Sequence, residues 1–150
     1  MTTLLERLQA DTKDAMKARD SERVQNLRLF VNAVQNEAKA KQRDLEDAEV
    51  VTVLQREKKK RIEAAEAFEG AGHADRAAVE RGQSDLLDGY LPEQLTARQL
   101  DDLVNTAISE VGAEGPSAMG AVMKAVMPKV AGRADGKEVS AAVNRALRPG

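Results

Sequence analysis

Residues 119–137 read MGAVMKAVMPKVAGRADGK and predict two short helices folded back on each other across a tight turn. Apolar side chains recur here at spacings of three and four, which places them along one stripe of the first helix. Gly132 follows that stripe where a left-handed residue commonly ends a helix, and Asp135 precedes Glu138 at the spacing of a capping box. The stripe consists of Met119, Met123, Val126, Met127 and Val130.

The turn between these helices is interpreted as mainly structural. Pro128 lies inside the first helix, so we expect the helix to kink or to end after Met127. A carboxylate at Asp135 would accept the free N–H groups at the start of the last helix and occupy the place of a bound phosphate. The residues expected to shape the turn are Gly132, Asp135 and Gly136, and the inward face of the last helix is Val139, Ala142, Val143, Ala146 and Leu147.

Basic side chains are concentrated at this end of the chain, although the net charge of the whole chain is −2. Residues 113–150 contain six basic and three acidic side chains, a local charge of +3. That asymmetry favours an anionic partner at the C-terminal end. Basic side chains on or beside the turn could meet phosphates as point contacts that position a nucleic acid without reading its sequence. These candidate contact residues are Lys124, Lys129, Arg133 and Lys137.

Five further helices are predicted upstream. Capping boxes begin the first helix at Thr3 and Glu6 and the fifth at Thr96 and Gln99. Pro92 ends the fourth helix, since a residue before proline avoids the α region. The inward stripes of helices two, three and four are predicted as Val24, Leu27, Val31, Val34 and Ala38, then Val50, Val51, Leu54, Ile62, Ala65 and Phe68, then Val79, Leu86, Leu87 and Tyr90.

The predicted fold class is all-α, with about seven helices and no strand signal. A break near residues 92–96 divides an N-terminal antiparallel bundle of four helices, residues 1–92, from a small C-terminal subdomain of three helices, residues 93–150. No internal repeat or low-complexity segment is evident.

Three features upstream have both a structural and a functional interpretation. Residues 58–61, Lys-Lys-Lys-Arg, point in four directions on a helix, so a solvated face with pairs such as Glu57 to Arg61 is favoured over a nucleic-acid stripe. Asn26, Arg28 and Asn32 lie off the apolar stripe of helix two and are expected to face solvent. The single histidine, at residue 73, has no second histidine or cysteine to complete the usual metal site, and we interpret it as a loop residue.

Composition narrows the possible functions. Aromatic residues make up only 2% of the chain, so stacking platforms for single strands are nearly excluded. There is no cysteine, which excludes thiol chemistry and is consistent with a reducing cytoplasm. No signal peptide or membrane-spanning run is evident, so we expect a cytoplasmic protein. With no evident nucleophile, activated base or phosphate-cradling loop, no catalytic residue, metal or cofactor is expected.

Three segments of the chain resemble the GatB/YqeY family, which joins the tail of the B subunit of glutamine-dependent tRNA amidotransferases to stand-alone YqeY proteins. The longest is M-G-x-V-M-x-x-x-M-P-K-x-x-G-R-A-D-G-K-x-V from Met119 to Val139. The others are YLPEQL at residues 90–95 and the segment from VLQRE at residues 53–57 to AFE at residues 67–69. The similarity runs the whole chain and is closest to the stand-alone members.

The resemblance implies a tRNA-binding helical module in the functional class of carbon–nitrogen ligases that use glutamine as amido donor. Lacking the kinase body and the amidase subunit, the chain would act as an accessory without catalysis of its own. The expected partners are tRNA and a tRNA-charging or amidotransferase enzyme; neither DNA nor a membrane is expected. The alternative is a protein-interaction module that docks on a tRNA-handling enzyme through the Met-rich helix face, without RNA contact. A free-standing enzyme is disfavoured.

Overall fold

The computed structural model describes residues 2–112 and 115–148, and within these ranges all regular structure is helical. The predicted all-α class is therefore confirmed. The α-helices are α1 (Leu4–Lys17), α2 (Ser21–Lys41), α3 (Asp47–Gly70), α4 (Ala74–Asp88), α5 (Ala97–Val111), α6 (Met119–Val130) and α7 (Gly136–Leu147), and a 3₁₀ turn at Pro116–Ala118 precedes α6.

The chain forms two compact units, Met1–Leu91 and Pro92–Gly150. Helices α1 to α4 belong to the first unit, and α5 to α7 with the 3₁₀ turn belong to the second. Each unit has its own cluster of buried apolar side chains.

The first unit packs α1 against α2 and α4 against α3. Phe30 is its largest fully buried side chain, and it lies inward on α2 three residues after Leu27. The predicted stripe had Val31 in its place, and Val31 is only half-buried. All three aromatic residues of the chain, Phe30, Phe68 and Tyr90, lie in this unit.

The inward face of α4 differs from the prediction. Val79 was expected in the core but is 53% exposed. The buried positions are instead taken by the small residues Ala77 and Ser84, together with Leu87. Small side chains allow a close approach to α3, where Ala65 is also fully buried. Close packing of two helices therefore determines which face of α4 is inward, rather than hydrophobicity alone.

The basic run at residues 58–61 takes part in ion pairs within the first unit. Lys58 pairs with Asp88 of α4. The expected pair of Arg61 with Glu57 is present at 3.8 Å, and Arg61 also reaches Glu80 at 3.6 Å. The Arg61 side chain is only 19% exposed and Glu57 is buried, so this pair is not solvated as expected. Lys58 and Arg61 therefore join α3 to α4, whereas Lys59 and Lys60 are exposed.

The core of the second unit is built from α5, α6 and α7. On α6 the fully buried row is Val122, Val126 and Val130, spaced by four residues. The predicted stripe is therefore found in part: its Val126 and Val130 are buried, whereas Met119 and Met123 are partly buried at the edge of the core and Met127 is 39% exposed. Branched valines fill the contact between the helices, and the longer methionines line its rim. On α7 the predicted inward face is found except for Ala146, which is exposed.

Pro128 does not end α6 after Met127, because the helix continues to Val130. Val130 is fully buried, which fixes the last turn against the core. The Arg133 guanidinium donates to the carbonyl oxygens of Lys129 and Val130, so two acceptors left at the helix end are satisfied. Packing and capping together outweigh the hydrogen bond that proline removes.

Candidate nucleic-acid interface

The turn between α6 and α7 begins with two left-handed residues. Ala131 has φ of 49° and Gly132 has φ of 79°. Glycine adopts this conformation without strain, whereas an alanine costs about 1 kcal/mol or more there. The carbonyl oxygen of Arg133 then accepts the N–H of Leu95 at 2.7 Å, which ties the turn to the segment that precedes α5. The turn is thus held in place by backbone conformation and by a long-range hydrogen bond.

Asp135 caps the start of α7. Its backbone is extended and its Oδ1 accepts the N–H of Lys137 at 3.3 Å. Gly136 is the first residue of α7, and a Cβ built there would meet no atom within 4 Å. The left-handed positions of the turn are therefore Ala131 and Gly132, and there is room for a side chain at Gly136.

The Arg133 side chain is partly buried and partly exposed, and it bonds to the end of α6. It is half-buried, with Nε 3.2 Å from the carbonyl oxygen of Val130 and one terminal nitrogen 2.8 Å from that of Lys129. A guanidinium carries five N–H donors, so these two bonds leave donors that can reach an anion. Any phosphate contact by Arg133 would be made by a side chain already held rigidly.

Lys129 is partly neutralised by α5. Its Nζ lies 3.2 Å from a carboxylate oxygen of Glu110, and its side chain is 32% exposed. Arg145 of α7 similarly lies 3.6 Å from Asp101. Residues 92–150 contain seven basic and seven acidic side chains, so the local excess of positive charge after residue 113 is balanced by α5 and its flanks. The sequence pattern did not identify Glu110 and Asp101 as partners, because their positions depend on how α5 packs.

Lys124 and Lys137 are the most open of the four candidate residues. Both are exposed, and neither forms an ion pair with another residue in the described part of the chain. Lys124 lies about 160° around α6 from the buried Val126, so it points directly away from the core. Lys137 lies in the first turn of α7, where the Asp135 carboxylate accepts its backbone N–H while its own side chain stays exposed.

The four residues do not form one stripe. Arg133 and Lys129 meet at the carboxyl end of α6, and Lys137 begins the next helix after the turn. Lys124 lies five residues before Lys129 and about 140° around the helix from it. The four residues are therefore separated point charges rather than one cationic patch.

The described residues contain no group of three acidic or histidine side chains placed to hold a metal ion. Within the same residues, no helix is long and apolar enough to cross a membrane. His73 precedes α4, and its ring meets the edge of Phe68 with the centroids 6.4 Å apart.

Comparison with known proteins gives a family match and two curated relatives. The family model described as Yqey-like protein matches residues 5–147. Altered inheritance of mitochondria protein 41, mitochondrial, of Pyrenophora tritici-repentis is 31% identical over 133 residues, which cover 87% of this chain and 73% of that protein. A glutamyl-tRNA(Gln) amidotransferase subunit of Thermococcus gammatolerans is 37% identical over 90 residues, which cover 57% of this chain but only 14% of that protein.

Proposed function

The chain belongs to the YqeY-like protein family, and from this premise we propose that it is a tRNA-binding accessory module for a tRNA-handling enzyme, without catalytic activity of its own. The relative whose name specifies a substrate is a Glu-tRNA(Gln) amidotransferase subunit, and the matched part is a small fraction of it. On that likeness we base the proposal of an accessory role in amide-forming chemistry on glutamyl-tRNA, the carbon–nitrogen ligase class.

The observation that carries the proposal is the pair of open lysines on α6 and α7. Lys124 and Lys137 are exposed cations without ion-pair partners in the described residues. An unpaired surface lysine costs little to bring near a phosphate, because no salt bridge has to be broken first. Lys129 and Arg133 would contribute less to phosphate binding. Lys129 already forms an ion pair with Glu110, and Arg133 already donates hydrogen bonds to the end of α6.

The kind of contact proposed is recognition of the tRNA backbone rather than its sequence. Double-stranded RNA is recognised mainly through its shape, phosphates and 2′-hydroxyl groups. Isolated lysines on a rigid helix pair meet phosphates without contacting base edges. The second unit has no aromatic residue on which a base could stack.

The proposal is tested by titrating bulk tRNA against the whole chain and measuring fluorescence anisotropy at several salt concentrations. We expect Lys124→Ala with Lys137→Ala to weaken binding and to lower the slope of log K against log salt by about 0.7–0.9 for each phosphate that is no longer bound. The matched control is Lys39→Ala with Arg98→Ala, which removes two exposed positive charges elsewhere.

Equal losses in both double variants would show that the tRNA senses net charge alone, and would contradict the assignment of the α6–α7 surface. Absence of binding by the unsubstituted chain at low salt would contradict the function itself. Lys129→Ala and Arg133→Ala are expected to have smaller effects than Lys124→Ala, because their cations are partly committed within the fold.

A second candidate function is docking on a protein partner through the methionine rim. Met127 is 39% exposed on α6, and Val111 at the end of α5 is 41% exposed. Methionine adapts its shape to varied partners, and contacts of this kind depend only weakly on salt. Capture of a tRNA-charging or amidotransferase enzyme that is insensitive to salt and lost on Met127→Lys would favour this function over RNA binding.

A further inference from the structure

A groove on the first unit lies between α1 and α2, far along the chain from the α6–α7 turn. Its volume is about 380 Å³, which is in the range of small-ligand sites. Each helix contributes three positions spaced by three and four residues, so one face of each helix forms a wall. The lining residues are Gln9, Thr12 and Lys13 on α1 and Arg28, Val31 and Asn32 on α2.

The charge of the groove favours an anion. Lys13 and Arg28 are its charged lining residues, and no carboxylate lines it. Both side chains are exposed, and in the described part of the chain neither pairs with a carboxylate. Arg28 instead places a terminal nitrogen 3.7 Å from the sulfur of Met16, a weak contact that an anion could replace. Two unpaired cations therefore face the groove from opposite helices.

The rest of the lining suits a flat, polar-edged group. The Thr12 hydroxyl donates to the carbonyl oxygen of Leu8 at 2.7 Å, so its one hydrogen-bond donor is used within α1. Thr12 and Val31 then supply an apolar floor. Gln9 and Asn32 bring amide groups that both donate and accept, the pattern by which such side chains pair with the edge of adenine.

The neighbouring Asn26 has a different environment from the groove residues of α2. The amide oxygen of Asn26 accepts from Gln83 of α4 at 3.0 Å, so Asn26 joins two helices. Arg28 and Asn32 lie on the same helix but point to the groove. The three polar residues off the apolar stripe of α2 thus have different roles.

We propose that the α1–α2 groove binds one nucleotide unit of an RNA, with its phosphate between Lys13 and Arg28 and its base edge against Gln9 and Asn32. This inference rests on the proposed function in taking RNA as the source of the nucleotide. It adds a second contact region on the first unit, with recognition of a base in addition to a phosphate.

The groove is tested first with small probes and the whole chain labelled with ¹⁵N. Adenosine 5′-monophosphate, added to about 10 mM because single phosphate contacts are weak, is expected to shift the side-chain amide signals of Gln9 and Asn32. Inorganic phosphate is expected to shift signals around Lys13 and Arg28 and to leave both amides unchanged. Identical shifts from the two probes, or no shift from the nucleotide, would overturn the proposal. Shifts caused only by an acidic helical peptide would overturn it in favour of a protein partner.

The RNA contact is tested by tRNA anisotropy with Arg28→Gln and with Lys39→Gln, a matched loss of one exposed charge on α2 outside the groove. We expect Arg28→Gln to weaken binding about ten- to a hundredfold, as for loss of one charged hydrogen bond, with the control unchanged. Equal effects of the two variants would overturn the groove. If only the Lys124 and Lys137 variant loses affinity, the proposed function stands and the groove contact fails. If the nucleotide shifts the groove signals while tRNA does not bind the chain at all, the proposed function fails and the nucleotide site stands.

Discussion

At the residue scale, Arg133 and Tyr90 are single side chains that stabilise the fold through a polar group. The group is a charged guanidinium in Arg133 and a titratable hydroxyl in Tyr90. Arg133 closes the end of α6 with two hydrogen bonds. Tyr90 is buried at the end of the first unit, donates its hydroxyl to Asp11 and has the Arg7 guanidinium 4.6 Å from its ring centre. The Arg133 bonds are local to the end of α6, whereas Tyr90 joins the end of the first unit to α1.

Tyr90 gives a prediction about alkaline pH. Burial, together with the hydrogen bond to Asp11, raises the pKa of Tyr90 from 10.0 to about 12. The folded state therefore keeps the phenol proton more tightly than the unfolded state, so stability is complete below about pH 10 and falls as the pH rises toward 12. Tyr90 is the only tyrosine, so tyrosinate absorbance follows it directly.

We expect half-ionisation near pH 12 in the folded chain and near pH 10 in denaturant. Tyr90→Phe should lose about 1 kcal/mol of stability at neutral pH, the usual contribution of one hydrogen bond. The free energy of unfolding of this variant should fall less steeply than that of the unsubstituted chain between these pH values. A folded-state transition at the ordinary tyrosine pKa would contradict the role of burial.

At the element scale, α6 shows which features of a helix are decided locally. Its amino acid pattern specifies a helix and places Val126 and Val130 in the core, but the row is completed by Val122 and not by the predicted methionines. The start of α5 follows local chemistry throughout: Thr96 and Gln99 exchange hydrogen bonds at 2.9 and 3.1 Å, forming the predicted capping box. Capping depends on residues a turn apart, whereas the orientation of a helix depends on the shape of its neighbours.

Pro128→Ala is predicted to stabilise the second unit by about 1–2 kcal/mol. The substitution restores an N–H that can bond the carbonyl oxygen of Lys124, while the loss of proline stiffness in the unfolded chain offsets part of the gain. Pro128 is exposed, so little packing is lost. Chemical denaturation followed by far-ultraviolet circular dichroism measures the change. Pro92→Ala, outside the helices of the same unit, is the control, and a destabilised Pro128→Ala variant would show that the core depends on the proline.

The distinction between local capping and packing against neighbours determines how much of the fold and site could be predicted from sequence. The all-α class, the helix starts and the turn at Gly132 follow from periodicity and capping. The inward face of α4 could not be predicted, since Val79 gives way to the smaller Ala77 where α4 approaches α3. The ion pair of Lys129 with Glu110 could not be predicted either, because Glu110 lies nineteen residues away and meets Lys129 only after α5 and α6 pack.

At the scale of the whole molecule, the chain is two cores rather than one. The cluster around Leu8, Phe30 and Leu54 belongs to residues 1–91, and the cluster around Val104 and Val126 belongs to residues 92–150. The first unit has a net charge of −2 and the second a net charge of zero. Any RNA affinity therefore has to come from local arrangements of charge and not from the overall field of either unit.

The two cores predict that fragments 1–91 and 92–150 each remain helical when expressed separately. At roughly 0.05–0.15 kcal/mol per residue, the smaller fragment should be the less stable. Far-ultraviolet circular dichroism with urea titration measures both fragments and the whole chain. Cooperative unfolding by the longer fragment with no structure in the shorter would show that the second core needs the rest of the chain.

The placement of the aromatic residues has a consequence for how this protein can be observed. Phe30, Phe68 and Tyr90 all lie in the first unit, and the chain has no tryptophan. The second unit is consequently silent in intrinsic fluorescence. A melting curve recorded by tyrosine emission would look complete and two-state while the second unit, including the proposed tRNA surface, went unseen. A tryptophan introduced at Val111, which is already exposed at the end of α5, would make that unit visible.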